Sequence, residues 1–519
     1  MKINIVGGGP AGLYFAILMK KLDPAHAITV LERDGPDDTF GWGIVFSDRT
    51  FAALREQDPP SYDCLVKASE TWDDVVIVHG GETLRVGGNP MAGVSRLAFL
   101  NLLHERCREL GVDLRFHANV ATPEDLERLK EADLLVGADG ANSLVRRTYE
   151  AFFLPSLDLR RNKYLWLGTP RPFGGLTLTF REAPAGLFIG HSYRFSPTMS
   201  TFVVECPPET WLQAGLEGLD EAATCAYLAA VFREDLGGQP LMANHFVRWF
   251  NFLLVKNKCW RHQNVVLLGD ALHTAHFSIG SGTKLALDDS IALAGCFADH
   301  PAAPRALEAF EQRRKPRVDE FQEAALQSLT WLEKVQDYVS LEPAPFAYRL
   351  MTRSKRVGYN RLKRGAPDFI ARYDAWREAQ PPDIGLIPAG FLDLFRKRTF
   401  AHLATLMPDG TPHVTPVWVD YDGKHILVNS ARGRLKDRHM QQRPDVAIEI
   451  QDPENPNRYL LVRGPVVAIT EEGADEQLDS MSPRYLNREK YPPAMRFEGE
   501  VRRIYRIEPR HVVIWDPFA

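Results

Sequence analysis

Near the start of the chain, short apolar runs alternate with helical patterns. Lys2 to Val6 reads as a buried strand, Ala11 to Lys21 as the helix after it, and Ile28 to Glu32 as a second strand. That order is a βαβ opening. Leu97 to Leu110 has the spacing of an amphipathic helix, and Leu134 to Val136 forms a short strand running into Gly137-Ala138-Asp139-Gly140. The texture changes between about 160 and 206. Tyr164–Gly168, Leu176–Phe180, Leu187–Tyr193 and Ser200–Cys206 read as successive antiparallel strands with turn residues between them. Val265 to Leu268 is again a buried strand, with Gly269-Asp270 and then a helix from about Thr283, and helical character persists from about 306 to 376.

Pro381-Pro382 cannot continue a helix, and the stretch up to Gly390 reads as a linker. Beyond it Phe400–Leu406, Val414–Tyr421, His425–Asn429, Val446–Ile450 and Leu460–Ile469 alternate or run apolar between turn signals. Strands following α/β material argue for a separate all-β domain. The expected division is 1–376, a linker at 377–390, and 391–519. Within the first part, about 1–160 and 260–330 form a Rossmann-like dinucleotide-binding fold. An antiparallel sheet at about 160–260 is inserted between them, and a helical tail follows at about 330–376.

A chain of 519 residues suits two or three such units. With 45% hydrophobic and 25% charged residues it has ordinary globular composition, and a formal net charge of −5 gives no reason to expect nucleic acid. No apolar run approaches a membrane span, and Ile3 to Val6 is too short for a signal segment. The six cysteines lack metal-like spacing and read as reduced thiols, so no metal is expected and the location is read as cytoplasmic.

Gly7, Gly9 and Gly12 form G-x-G-x-x-G between the first strand and its helix, with Pro10 and Ala11 inside the motif. The first glycine permits a tight turn, the second lets a pyrophosphate approach the backbone, and the third lets helix pack on strand. The helix start then offers free N–H groups to phosphate. Glu32, beside Arg33, lies at the end of the second strand, roughly 20 residues on, where a carboxylate can accept ribose hydroxyls.

Further motifs carry a resemblance. Gly137-Ala138-Asp139-Gly140 continuing to Arg146 resembles the DG motif of the class A flavoprotein monooxygenases, and Gly269-Asp270 with Ala271 and His273 resembles their GD motif. Arg96 matches the family's flavin-contacting arginine. An Asp after a strand is also a common helix cap, but three such elements in the right order point to FAD. The resemblance implies that Asp139, Asp270, Gly280, Gly282, Thr283 and Lys284 join the cofactor site. No second dinucleotide fingerprint lies between residues 13 and 380, which disfavours the glutathione-reductase type; class A hydroxylases use NADH or NADPH without one.

Residues 1 to about 375 are similar to the salicylyl-CoA 5-hydroxylase and 2-aminobenzoyl-CoA monooxygenase group. The similarity rests on Gly8–Phe15, Asp38–Asp48, Asn162–Thr169, Ser200–Cys206, His273–Lys284 and Leu350–Arg356. The violacein-pathway tryptophan hydroxylase shares several of these stretches. The resemblance implies FAD-dependent hydroxylation, with NAD(P)H and O2, of an activated ring carried as an aromatic CoA thioester. The alternative is a free tryptophan- or indole-like aromatic. His276-Phe277 stand where the wider family has a proline, as in this subgroup. Tyr164, Trp166, Phe180, Phe188 and Phe202 are the expected substrate-lining aromatics. His191, His273 and His276 are the acid/base candidates, with His276 favoured because the motif places it beside the flavin ring. Arg353, Lys355, Arg356, Arg361, Lys363 and Arg364 form a basic run that either meets CoA phosphates or is a solvated helix face.

Residues from about 386 resemble the split β-barrel flavin/deazaflavin oxidoreductases, which include pyridoxamine-phosphate oxidase. The carrying stretches are Thr415–Val419, Asn429–Arg438, and Asp452–Pro456 with Tyr459–Gly464. The resemblance implies a deazaflavin coenzyme or FMN near Thr415 and Val417, with Arg432, Arg434 and Lys436 on its phosphate, and a homodimer. A cofactor-free barrel kept only for dimerisation is the competing reading. The known acyl-CoA hydroxylase fusions carry a different reductase domain, so this barrel is a departure.

Overall fold

The computed structural model describes residues 1–244, 248–280, 282–379 and 387–516. Ser281 and half of the expected linker, Pro381-Pro382 included, lie outside the described residues. The chain forms two compact units, Met1–Asp374 and Ala375–Ala519.

The first unit is built on a six-stranded sheet. Its order is Arg261–His262, Val265–Leu267, Leu134–Gly137, Lys2–Val6, Ala27–Leu31 and Asp113–Arg115. All neighbours are parallel except the first pair. Lys2–Val6 is buried over Ile3–Val6 because helices cover both faces of a parallel sheet. Helices Pro10–Leu22 and Gly282–Asp299 pack together on it, and the Ser290 hydroxyl donates 2.8 Å to the Ala11 carbonyl.

The second sheet has seven strands, in the order Phe250–Asn257, Pro155–Thr169, Ser200–Cys206, Gly186–Arg194, Leu176–Ala183, Val75–His79 and Glu82–Val86. The four expected strands lie within it. Two of its strands come from upstream of residue 160, so the sheet is not confined to the expected insertion: Val75–His79 pairs in parallel with Leu176–Ala183. One face, carrying Phe188, Phe202 and Val204, packs on helices between 208 and 236. Strand alternation sends Tyr164, His191 and Glu205 to the other face.

In the second unit the main sheet runs Pro412–Val417, Ala401–Leu406, Asp445–Gln451, Tyr459–Thr470, Arg502–Ile507, Ile426–Ala431 and Val419–Tyr421. His511–Trp515 pairs with Tyr459–Thr470. The core is Leu403, Val428, Ile448, Ile450, Val462 and Tyr505 with their neighbours. The all-β expectation missed two helices, Leu435–Gln442 and Ala474–Leu486. The second buries Ala474, Leu478, Met481 and Tyr485, a three-to-four spacing visible in the sequence.

All six cysteines are unpaired. Among the described residues, no helix is long and apolar enough to cross a membrane, and no group of acidic, His and Cys side chains is placed to hold a metal ion.

Candidate active site

The glycine turn has the shape a pyrophosphate needs. Gly7 has φ +106°, and a Cβ there would lie 2.2 Å from the Ala138 carbonyl oxygen. A Cβ on Gly12 would lie 2.3 Å from the Gly7 oxygen, whereas one on Gly9 would meet nothing within 4 Å. Two glycines are therefore demanded by packing, and the middle one borders open space at the start of helix Pro10–Leu22. Glu32 is fixed beside this turn: its Oε2 accepts from Gly8 N at 2.7 Å and its Oε1 from Asp34 N at 3.0 Å. Arg33 is exposed and pairs with Asp34, so it does not join the turn.

The two motif aspartates differ. Asp139 accepts from Ser143 Oγ at 2.5 Å, Leu144 N at 2.6 Å and Val145 N at 3.2 Å. Ser143 is the N-cap of helix Leu144–Thr148, and Asp139 receives that helix's first two N–H groups, so its carboxylate is taken up by the loop. Asp270 has no hydrogen-bond partner among the described residues. It is reachable by solvent yet ringed by protein, and this enclosure raises its carboxyl, opposed by the nearby His273 and Arg96. Arg96, whose Nε donates 3.1 Å to Thr39 Oγ1, faces the same space. A partnerless enclosed carboxylate, an enclosed guanidinium and an open glycine N–H turn together suit an extended dinucleotide such as FAD. Gly280 takes φ +63° and, like Gly282, borders open space; Lys284, one residue past Thr283, is bound by Asp288 within its own helix.

The three histidines separate. His273 is buried, with Nε2 2.8 Å from Asp289 Oδ2, and Arg314 Nε reaches Asp289 Oδ1 at 2.7 Å. Burial alone would raise the Asp289 carboxyl, but these two partners hold it below its usual range. This cluster ties two helices to the 269–276 loop. His276 is buried with both ring nitrogens engaged: Nδ1 lies 2.8 Å from Ser278 Oγ and accepts from Ser278 N at 3.3 Å, and Nε2 lies 3.1 Å from Tyr164 Oη. Burial drives its pKa down to about 3.

Tyr164 Oη donates 3.1 Å to Glu205 Oε1, which also receives Asn162 Nδ2 at 2.7 Å; His191 Nε2 lies 2.9 Å from Oε2. On the other side, Ser278 Oγ meets Ser328 Oγ at 2.8 Å, and Arg353 donates from Nε to Ser328 Oγ at 2.8 Å and from Nη2 to the Ser278 carbonyl at 2.7 Å. Enclosure lowers the Arg353 guanidinium to about 10. Asn162, Glu205, Ser278, Ser328 and Arg353 in this role were missed from sequence. Arg353 leaves the basic run and belongs inside.

Around this network stand partly exposed rings. Phe277 lies 5.0 Å from Trp166, 5.1 Å from Tyr164 and 5.4 Å from His191 between ring centroids, and Phe250 stacks on Trp166 at 6.1 Å. Trp166 is partly exposed, as are Phe252 and Phe277, and Phe250 is exposed, whereas Tyr164 is fully buried with its hydroxyl on Glu205 and His276. Phe188 and Phe202 point through the sheet into the helix-covered core. Phe180 packs on His79 and Phe346 in another core. Two surface clefts, about 460 Å³ beside Arg261 and Lys315 and about 750 Å³ beside Tyr227, include none of these residues.

In the second unit Val417 is buried in the core, while the Thr415 hydroxyl is buried without a partner. Arg432 lies 3.8 Å from Glu471 and Arg434 3.2 Å from Glu500. Lys436 forms no ion pair among the described residues. Partial burial, with Arg434 and Arg502 nearby, lowers its ammonium pKa. A half-buried unpaired cation and an orphan hydroxyl fit an anionic cofactor.

The family described as Pyridoxamine 5'-phosphate oxidase matches residues 387–516. The chain is 41% identical over 387 residues to Salicyloyl-CoA 5-hydroxylase of a Streptomyces species, covering 72% of this chain and 74% of that protein. It is 36% identical to Protodeoxyviolaceinate monooxygenase of Chromobacterium violaceum, covering 69% and 95%. Against the 3-hydroxy-4-methyl-anthranilyl-[aryl-carrier protein] 5-monooxygenase of Streptosporangium sibiricum it is 36% identical, covering 65% and 90%. Among solved structures, p-nitrophenol 4-monooxygenase of Pseudomonas putida shares the fold at TM-score 0.54 and 16% identity, covering 72% of this chain and 97% of that one. The tetrameric 2-methyl-3-hydroxypyridine-5-carboxylic acid oxygenase does so at 0.52 and 18%, covering 69% and 98%. The chain belongs to the FAD-dependent aromatic monooxygenases and carries a pyridoxamine 5'-phosphate oxidase domain behind that enzyme.

Proposed function

We propose that the first unit hydroxylates an activated aromatic ring presented as a CoA thioester, of the salicyloyl- or 2-aminobenzoyl-CoA type, with NAD(P)H and O2. The observation that carries this is a cluster of aromatic rings, most of them open to solvent in part, in the same unit as an exposed basic segment. Trp166, Phe250, Phe252 and Phe277 offer faces for a flat ring and keep water from the reacting centre. Lys355, Arg356, Arg361, Lys363 and Arg364 are exposed and have no acidic partner among the described residues. They offer unspent positive charge to a phosphate-bearing carrier. Gly9, Glu32, Arg96 and Asp270 would hold FAD, which supplies electron transfer from the nicotinamide and activation of O2. The ring-activating hydroxyl or amine directs oxygen to the para position.

For the second unit we propose a deazaflavin- or FMN-binding barrel, with Thr415 and Lys436 on the cofactor. We also propose that it forms a homodimer. Exposed Phe400, Val513, Ile514 and Trp515 are apolar surface of the kind that a second copy covers.

The test is NAD(P)H oxidation by the FAD-loaded full chain with salicyloyl-CoA, 2-aminobenzoyl-CoA, salicylate and tryptophan, together with product mass. Stimulation and one added oxygen with a thioester alone is the expected result. It should weaken in the Lys355→Glu, Arg356→Glu variant and with rising salt. Stimulation only by free tryptophan would replace this reading with that of an indole hydroxylase.

A further inference from the structure

We propose that His191 and Glu205 form a proton-accepting dyad for the substrate's ring-activating hydroxyl, while His276 is a positioning residue that takes no substrate proton. The proposal rests on the hydroxylase reading above and names how that site handles one proton.

Glu205 fixes the direction of every hydrogen bond around it. It is fully buried in the middle of strand Ser200–Cys206. Burying a carboxylate is expensive unless donors surround it. Asn162, Tyr164 and His191 supply them, and these contacts hold Glu205 ionised against its burial. An ionised carboxylate only accepts. Tyr164 must therefore donate its single proton to Glu205, which leaves its oxygen to accept from His276 Nε2–H. Nδ1 of His276 is then the acceptor for Ser278, whose backbone N–H points at it. Ser278 Oγ in turn accepts from Ser328, and Ser328 from Arg353, which can only donate. The chain runs one way from Arg353 to Glu205, and His276 has no nitrogen to spare. What it does is hold the loop that carries Phe277.

His191 approaches the same carboxylate from the other side. With Nε2–H facing Glu205 Oε2, the neutral imidazole has its lone pair on Nδ1, and that nitrogen has no protein partner among the described residues. His191 as a whole is 5% exposed. Trp166, Val203 and His191 lie in register on three adjacent strands, which puts His191 on the face that carries Trp166. Its ring also meets Phe277 edge-on. A hydroxyl on a ring held by Trp166 and Phe277 reaches a nitrogen that is ready to accept. In the step, the substrate O–H bond breaks and an N–H bond forms at His191 Nδ1. The electron pair stays on oxygen and spreads to the ring's ortho and para carbons. The imidazolium is balanced by Glu205, and the proton is returned when product forms, so no co-reactant is consumed.

The experiment uses the FAD-loaded full chain without nicotinamide. Salicyloyl-CoA is titrated in, and binding and phenol ionisation are read from separate absorbance bands. Wild type should bind it as the phenolate at a pH where the free thioester is a phenol. His191→Asn should bind it as the phenol. Equal phenolate in His191→Asn overturns the proposal. In parallel, histidine-ring 15N spectra, assigned through His191→Asn, should give His191 a bare Nδ1 and a protonated Nε2. The reverse overturns the dyad without reference to any substrate. If wild type does not bind salicyloyl-CoA, the thioester reading falls, and the 15N result still decides the dyad.

Discussion

Gly9→Ala separates cofactor binding from folding, because the three motif glycines face different surroundings. Gly9 has φ −77° and ψ 177°, which any residue adopts, and an added Cβ meets no protein atom within 4 Å. Restricting the unfolded chain stabilises by about 0.4–1 kcal/mol. Alanine is a poorer N-cap than glycine by a similar amount, about 0.5–1 kcal/mol. The two effects offset, so stability should stay within about 1 kcal/mol of wild type. The methyl group would occupy the space where the pyrophosphate meets the backbone. Losing one charge-assisted hydrogen bond costs about 1.5–3 kcal/mol, or roughly 10- to 150-fold in affinity. Gly7→Ala behaves differently: a Cβ 2.2 Å from the Ala138 oxygen, at φ +106°, combines overlap with strain of about 1–3 kcal/mol each. The assay is FAD titration of the apoprotein by flavin fluorescence, with thermal unfolding followed alongside. Wild-type FAD affinity in Gly9→Ala would refute the placement of the pyrophosphate over this turn.

Three further outcomes are expected. His276 has a folded pKa of about 3, below its ordinary value near 6.5, so the stability it contributes is full above pH 6.5 and is lost as pH falls toward 3; acid unfolding by near-ultraviolet circular dichroism should be less steep in His276→Gln. Arg353→Met should lower the melting temperature and should not be rescued by Lys, because one ammonium cannot reproduce the fork that meets Ser328, Ser278 and Leu350; full rescue by Lys would contradict the geometry. In the second unit, Lys436→Ala should leave folding intact and weaken FMN or deazaflavin binding. Asp437→Asn should instead destabilise, since Gly433 N, Gln441, Arg503 and Tyr505 all converge on that carboxylate. The measurement is cofactor binding beside thermal unfolding for each variant.

What the sequence discloses depends on whether the signal is contiguous. The glycine turn, Glu32 and the strand–helix–strand around them sit within one stretch, and each glycine's reason is local. Asp139 and Asp270 look alike in sequence. One is taken up by its own loop and the other borders open space, because the backbone after Asp139 turns its N–H groups back onto the carboxylate and the backbone after Asp270 does not. Tyr164 and Trp166 could not be separated from Phe188 and Phe202 without the pairing register, because one residue's shift turns a side chain to the opposite face. Glu205 did carry a signal in the sequence: it is a lone acid between Val204 and Cys206 in an otherwise uncharged, fully buried strand. Its partners come from strands 155–169 and 186–194, and the wider network from the 276–280 loop and two later helices, so no spacing rule could assemble them.

Because a single carboxylate orders that network, replacing it by an amide has a determined result. Glu205 Oε1 receives two donors, Asn162 and Tyr164, and Oε2 receives one, His191. A glutamine offers one acceptor oxygen and one NH2. With the NH2 toward Asn162 and Tyr164, it would face two donors; toward His191 it faces one, and that one can withdraw by moving its proton. Glu205→Gln should therefore keep its oxygen on Asn162 and Tyr164 and drive His191 to the Nδ1–H form, with Nε2 accepting from the amide. His276 keeps its tautomer, and the sheet, losing no side-chain volume, stays folded. The chemical consequence is an inverted His191: the nitrogen left bare in wild type now donates and cannot accept a phenolic proton. Histidine-ring 15N spectra should show the exchange at His191 alone, and bound salicyloyl-CoA should revert to the phenol. If His191 in Glu205→Gln keeps a bare Nδ1 in a folded protein, Glu205 does not set its tautomer, and the directional logic drawn from that carboxylate fails.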